Sequence, residues 1–213
     1  MRATLYAPAT TPAPGVILLH MAGSTREAWA PFQLLARADG YVSIAIDLRG
    51  HGETATREGV GNPGGFSADD WLGVLDDVAA AKQSLIEAGA DPKRIAIAGA
   101  SIGANLALRY AAMDPEIQAV VMLSPGEDYR GVGTIKTMET FTSRPVLMMS
   151  ARGDAYSAAS VQKLDALAKD FCELRLYPGV AHGTDLLSAE PVAPDQILMW
   201  LDQILGHIPA APK

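Results

Sequence analysis

The 213-residue chain has little of several things that define whole classes of protein. Cys172 is its only cysteine, so no disulfide can form within the chain, and its place in an apolar strand pattern reads as a small core residue. The four histidines show no metal-ligand spacing, alone or with that cysteine, and no metal is expected. Positive charge is scarce. Lys and Arg number 17 against 24 Asp and Glu, a formal net charge of -7, and no basic run could track phosphates, so nucleic acid is not an expected partner. No stretch approaches the roughly 18 consecutive apolar residues of a membrane span, and the N-terminus lacks a basic region followed by an apolar one. The expectation is a soluble, cytoplasmic protein without a membrane partner.

Nucleotide-binding signals are missing as well. There is no Walker-type Gly-Lys-Ser/Thr. Gly59-Val60-Gly61-Asn62-Pro63-Gly64 matches G-x-G-x-x-G, but no strand feeds it, no helix opens from it, and Pro63 lacks a backbone donor a pyrophosphate would need. Gly50-His51-Gly52 follows a strand but leads into a long loop. No cofactor is expected.

What is present is a hydrophobic content of 49%, enough for a substantial core, and no composition shift suggests a second one. A single domain over 1–213 is expected. Buried-strand patterns recur at 15–20, 42–46, 94–98, 119–123, 146–150 and 172–177, with a shorter strand at 2–6. Helical patterns lie between them. One, around 29–38, has Trp29, Phe32, Leu35 and Ala36 at helical spacing. A long one runs through Trp71, Val74, Leu75, Val78, Leu85 and Ile86, opened by a Ser67/Asp70 capping box and stopped by Gly89. Others cover 105–112, 158–169 and 194–205. Strands that alternate with helices and lack period-two polarity predict an α/β fold, a mostly parallel sheet covered on both faces.

The pattern converges on Ser101. It ends an apolar strand and begins a helix, with Gly99 and Gly103 flanking it at the spacing of a G-x-S-x-G elbow. Such a turn leaves no room for side chains beside it and holds the hydroxyl exposed. The N–H of Ile102, at the helix start, points where negative charge develops on an attacked carbonyl. A serine needs a base, and the base a carboxylate to orient it. Downstream, the strand at 146–150 runs into Asp154, and the strand ending at Tyr177 runs into His182. Both loops fall on the carboxyl-end edge of a parallel sheet, where Ser101 lies. Glu127 and Asp128, after the preceding strand, are alternative acids. Of the other histidines, His20 ends a buried strand, His51 lies in a turn between glycines, and His207 is near the end of the chain. Tyr156 and Arg152 read as exposed loop residues, although both could line a cleft.

Five pieces in order, Leu-Leu-His-Met-Ala-Gly-Ser, Asp-Leu-Arg-Gly-His-Gly-Glu, Gly-Ala-Ser-Ile-Gly, the Gly153-Asp154 loop and Pro-Gly-Val-Ala-His-Gly-Thr, make the chain resemble the α/β-hydrolase superfamily over nearly its whole length. The likeness is to small bacterial esterases and dienelactone-hydrolase-like proteins. It implies Ser101 as nucleophile, His182 as general base and acid, Asp154 as its orienting carboxylate and the Ile102 N–H as one oxyanion donor. It implies Ala22 as the second donor, with Met21 the alternative, and a structural His20. Two departures stand out: Met21 replaces the family's usual glycine, and the first strand of the full fold is missing. The insert at 124–143 is too short for a helical lid. The implied activity is hydrolysis of short-chain carboxylic esters through an acyl-enzyme, with thioester and lactone or dienelactone hydrolysis as alternatives. A non-catalytic small-molecule-binding scaffold is the alternative of another class. The expected partner is a small-molecule ester, and the open sheet edge leaves monomer or homodimer.

Overall fold

The computed structural model describes residues 1–55, 62–141, 144–168 and 171–206. Its elements in chain order are β1 (Arg2–Tyr6), β2 (Ala13–Leu19), α1 (Ala30–Ala38), β3 (Val42–Asp47), α2 (Ala68–Leu72), α3 (Val74–Glu87), β4 (Ala90–Ala100), α4 (Ile102–Met113) and β5 (Ile117–Leu123). There follow β6 (Asp128–Tyr129), β7 (Val132–Gly133), α5 (Ile135–Thr140), β8 (Val146–Ala151), α6 (Ala155–Ala168), β9 (Cys172–Tyr177), α7 (Leu186–Ala189) and α8 (Ala193–Leu205). Seven strands form one sheet in the order β1-β3-β2-β4-β5-β8-β9, and β6 and β7 pair as a separate hairpin. Every pairing in the large sheet is parallel except that of β1, which runs antiparallel along β3 with Arg2 opposite Asp47 and Tyr6 opposite Ser43. The fold is the expected α/β sheet, and β1 stands at one edge of it.

Side-chain alternation divides the core between the two faces. Ile17, Leu19, Ile44, Ile46, Ile97, Val120, Met122 and Met148 pack with residues of α2, α3, α4 and α6. Val16, Leu18, Ala45, Ala98, Val121, Leu123, Leu147 and Met149 pack with residues of α1 and α8. Because both faces are covered, β2, β3 and β8 are buried at every position, the polar Ser43, Asp47 and Ser150 included. Chain direction also matters: from β2 the sheet grows one way through β3 and the other way through β4. Loops from the carboxyl ends of β2 and β4 therefore leave a crevice at that switch point.

Some expectations need correction. A 3₁₀ turn at Arg26–Trp29 precedes α1, and Leu35 is exposed while Trp29, Phe32 and Ala36 are buried, so the inward stripe is narrower than the sequence suggests. β4 begins at Ala90, four residues earlier than its apolar run, because Ala13 pairs with Ala90 across a register shift. The insert after β5 is not merely polar loop: it holds the β6–β7 hairpin and α5. The capping box is present, with Ser67 Oγ accepting from the Asp70 N–H and the Asp70 carboxylate accepting from the Ser67 N–H. Cys172 is only half-buried, and burial pushes its thiol up to about 12. Part of the G-x-G-x-x-G stretch, Gly59 to Gly61, lies outside the described residues, as does His207; Pro63–Gly65 is a 3₁₀ turn in which Asn62 Oδ1 accepts from the Gly64 N–H.

Two contacts place α4 against the end of β2. A Cβ on Gly103 would lie 2.6 Å from the carbonyl oxygens of Leu19 and His20, and one on Gly99 would overlap the Gly103 backbone. Next to this contact His20, fully buried, accepts from the Leu48 N–H at Nε2 (3.0 Å) and donates from Nδ1 to the Met21 carbonyl (2.8 Å), tying the end of β2 to the end of β3. Burial lowers its pKa from 6.5 to about 4. Gly103→Ala should cost about 1–3 kcal/mol in chemical denaturation, since the clash is with backbone and α4 must move to relieve it. For His20 the unfolded chain takes up a proton below pH 6.5 while the folded one resists until about 4. Its contribution is therefore intact above 6.5 and lost as pH falls toward 4, about 3 kcal/mol in all. His20→Gln should be less stable at neutral pH but should show a flatter urea midpoint between pH 6.5 and 4; parallel curves for the two proteins would contradict this.

Candidate active site

The strand β4 reaches its last residue at Ala100, and the chain turns into α4 through Ser101 with φ 55° and ψ -122°, a left-handed-side backbone that a non-glycine residue adopts only under constraint. The constraints are visible. The Ser101 N–H donates to the Leu123 carbonyl (2.8 Å), and the Ser101 carbonyl accepts from Ala104 and Asn105 (2.9 and 3.2 Å). Ser101 is 7% exposed and stands at the carboxyl edge of the sheet. The N–H of Ile102 belongs to the first turn of α4, whose donors have no acceptor within the helix.

Two other strand ends meet it there. β8 ends at Ala151, and the turn through Gly153 sets Asp154 just before α6; β9 ends at Tyr177, and the loop through Gly179 brings in His182. These loops are joined, since the Gly153 N–H donates to the Gly179 carbonyl (2.8 Å) and the Arg152 N–H to the Tyr177 carbonyl (2.8 Å). His182 Nδ1 is 2.6 Å from Asp154 Oδ2, and His182 Nε2 is 2.8 Å from Ser101 Oγ. A carboxylate only accepts, so Nδ1 carries the ring proton and Nε2 is left to accept from the serine hydroxyl. Such a chain can draw a proton from the hydroxyl and hold the resulting imidazolium against the carboxylate. The histidine side chain is 37% exposed and the aspartate 13%.

The alternatives weighed from sequence lie elsewhere. Glu127 pairs with Lys163 at 2.5 Å, and Asp128 caps its own hairpin by accepting from the Gly131 N–H (2.7 Å). His51 donates from Nδ1 to the Arg49 carbonyl (2.9 Å) and stacks edge-on with His20, a loop anchor. Met21 and Ala22 follow β2. The Met21 carbonyl accepts from His20 and from the Ser24 N–H, and its sulfur packs where a Cβ on Gly183 would be, 2.6 Å away. Met21 has ordinary backbone, and the positive φ in this turn is at Gly23 (75°). Ala22 lines a cavity of about 480 Å³ that runs toward Gly50 and Trp71. Tyr156, in α6, exchanges hydrogen bonds with the Asp128 backbone, and Arg152 is exposed. Thr184 and Asp185 form a 3₁₀ turn leading into α7.

Sequence reasoning missed two residues. Ser124, buried and at φ 48°, accepts from the Gly183 N–H at its Oγ (3.0 Å) and so holds the loop that carries His182. Tyr129 sets its ring edge-on to His182, centroids 6.2 Å apart, with its hydroxyl bonded to Ser157 Oγ (2.9 Å) and the Ser124 carbonyl (3.3 Å). Burial raises its pKa. Ser124 could have been flagged as the first residue after a buried strand, on the same sheet edge as Ser101. Tyr129 carries no such sequence signal, because only the hairpin fold brings it back. The hairpin is held by Asn105 of α4, whose Nδ2 donates to the Gly126 and Val132 carbonyls (3.1 and 2.7 Å) and whose Oδ1 accepts from the Gly126 N–H (3.1 Å).

Among the described residues no group of three or more His, Cys, Asp or Glu is arranged to hold a metal, and no helix is long and apolar enough to cross a membrane. No curated protein matches the chain in sequence. Solved structures superpose on most of it at low identity. A 2,6-dihydroxy-pseudo-oxynicotine hydrolase aligns with TM-score 0.77 and 19% identity over 99% of this chain and 66% of that one, so the chain spans just under two thirds of its length. An esterase of Pyrococcus furiosus aligns with TM-score 0.71 and 20% identity over 91% and 83% of the two chains. A monoacylglycerol lipase of Paleococcus ferrophilus gives 0.70 and 15% over 97% and 99%. At these identities the likeness is one of fold. The sequence model described as the alpha/beta hydrolase family matches residues 16–211, and the chain belongs to that family.

Proposed function

We propose that the protein is a serine hydrolase that cleaves short-chain carboxylic esters by acyl transfer. The observation that carries this reading is the continuous hydrogen-bonded path from Asp154 through His182 to the Ser101 hydroxyl, at 2.6 and 2.8 Å. In it Ser101 Oγ attacks the ester carbonyl as its proton passes to His182 Nε2, and Asp154 steadies the imidazolium. The tetrahedral oxyanion is held by the N–H groups of Ile102 and Ala22. His182 then gives its proton to the departing alkoxide, leaving an acyl-enzyme. Water, relieved of a proton by the same nitrogen, attacks the acyl group, and collapse of the second oxyanion returns the carboxylic acid and the serine hydroxyl. Ala22 is preferred over Met21 as second donor because Ala22 borders the cavity whereas Met21 turns its side chain under Gly183.

Among the neighbours of like fold an esterase and a monoacylglycerol lipase support carboxylic ester cleavage, and a protein described as a dienelactone hydrolase supports lactone cleavage as the second reading. Short chains are favoured because the insert after β5 supplies only a hairpin of two two-residue strands and the six-residue α5, not an apolar lid. The expected preference is for acyl chains of roughly two to six carbons, since long chains gain affinity only from apolar surface that covers them.

Ser101→Ala and His182→Ala should each lower kcat on p-nitrophenyl acetate or butyrate by on the order of a million-fold, and Asp154→Asn by about ten-thousand-fold, with far-UV spectra unchanged. Wild-type turnover in the folded Ser101→Ala protein would end the proposal. Tyr129→Phe keeps the ring against His182 and removes the hydroxyl; it should lower kcat by about tenfold or less, a neutral hydrogen bond being worth about 1 kcal/mol, and a loss as large as that of His182→Ala would move Tyr129 into the proton path.

A further inference from the structure

The triad does not use the 480 Å³ cavity beside Ala22, whose lining combines glycine-rich backbone with Trp71, Asn62 and Arg130. Trp71 is completely buried, and its indole Nε1–H has no acceptor. Asn62 uses its Oδ1 on the Gly64 N–H, which leaves the amide NH₂ as its unpaired end. Arg130 is the one charged side chain of known sign in the lining; its guanidinium lies 6.0 Å over the Trp71 ring and reaches only the Pro63 carbonyl, at 3.5 Å. Among the described residues no carboxylate pairs with it.

Its backbone points the same way. Arg130 and Gly131 are the central pair of the two-residue turn between β6 and β7, both at positive φ (55° and 84°). Asn or Asp suits the first of these positions far better, and Arg there keeps a strained conformation for no local gain. The turn follows directly on Tyr129, so the hairpin presents one residue to His182 and the next to the cavity.

We propose that this cavity is the subsite for a carboxylate carried by the substrate, with Arg130 as the residue that selects it, so that the preferred esters bear a carboxylate a few bonds from the scissile carbonyl. The proposal rests on the ester-hydrolase reading, because Ala22, which lines the cavity, is the second oxyanion donor in that reading. A guanidinium that no carboxylate pairs with among the described residues, lining a cavity with the Asn62 amide, suits an acceptor-rich anion. A planar carboxylate accepts two parallel N–H bonds from a guanidinium and carries one charge to match one arginine; a phosphate dianion would find a single cation in an acidic protein. An uncharged or cationic substrate would leave the guanidinium unanswered.

Four ethyl or acetyl esters test it: monoethyl adipate and 6-acetoxyhexanoate, with the carboxylate on the acyl or the alcohol side, and the primary amide of each. The expected result is a kcat/KM higher for the carboxylate than for its amide by about tenfold or more in at least one pair, the usual worth of a charge-assisted hydrogen bond. The ratio should shrink with added salt, since Arg130 is exposed, fall toward one in Arg130→Gln, and survive in part in Arg130→Lys. Binding to Ser101→Ala by calorimetry reads the subsite without turnover: the carboxylate should bind more tightly than the amide, and the double variant with Arg130→Gln should lose the difference. Ratios near one in both pairs, or a ratio indifferent to Arg130, overturn the subsite while ester cleavage stands. No cleavage of any ester, with calorimetric preference for the carboxylate intact, overturns the hydrolase reading and leaves the subsite.

Discussion

A single residue of backbone decides where everything else can go. Between β4, covered on both faces, and α4, packed on one of them, the chain has one position in which to reverse its hydrogen-bonding pattern, and Ser101 takes it with φ 55°. Holding a non-glycine residue there costs on the order of 1–3 kcal/mol, so the conformation persists only if surrounding bonds over-determine it. Three do so directly, through the Leu123 carbonyl and the Ala104 and Asn105 N–H groups. The missing side chains at Gly99 and Gly103 do the rest, letting α4 approach the end of β2 to within contact of its carbonyls. Had either glycine a Cβ, the helix would stand off from the end of β2.

From that turn rigidity passes outward in two steps. Asn105, one helical turn along α4, makes three buried hydrogen bonds to the chain that follows β5 and so fixes the hairpin carrying Tyr129 and Arg130. Ser124, at the end of β5, accepts from Gly183 and fixes the loop carrying His182. The loop of Asp154 is then tied to that of His182 by the Gly153–Gly179 hydrogen bond. Each member of the path thus rests on a strand end or helix start and is linked to the next through backbone. That is what keeping donor and acceptor within bonding distance across 81 residues of sequence requires.

Much of this was legible in the sequence, for reasons that are physical. Strands buried on both faces are mostly apolar, so β2, β3, β5 and β8 announce themselves, and the Gly99-Ser101-Gly103 spacing announces a tight turn. The capping box at Ser67 and the stop at Gly89 are local bonds, readable from a few neighbours. What the sequence hid was long-range. Leu35 falls on the helical stripe of α1 yet is exposed, because the width of the covered stripe is set by the partner surface, not by the helix. Tyr129 and Arg130 look like ordinary loop residues, since only the hairpin and Asn105 bring them to the site. Ser124 resembles any serine after a strand until the Gly183 N–H is found on it.

The two sides of the crevice have separate foundations. Ser101, Asp154 and His182 all come from the second half of the sheet. The rim of the cavity on the other side comes largely from loops after β2 and β3, and these are joined by Asp47. That fully buried carboxylate accepts from the backbone N–H groups of Arg26 and Glu53 (2.9 and 3.0 Å) and pairs with the Arg26 guanidinium. Arg26 in turn reaches Glu53 at 2.6 Å. A carboxylate so deep in the protein is tolerable only with that full set of donors, and removing one would leave a charge without compensation. The network therefore binds the loop after β2 to the turn after β3 without touching the triad. The hairpin residues Tyr129 and Arg130, adjacent in sequence, reach one to each side. A chain built this way can keep one proton path while the loops facing it change, which is how a single fold comes to serve many substrates.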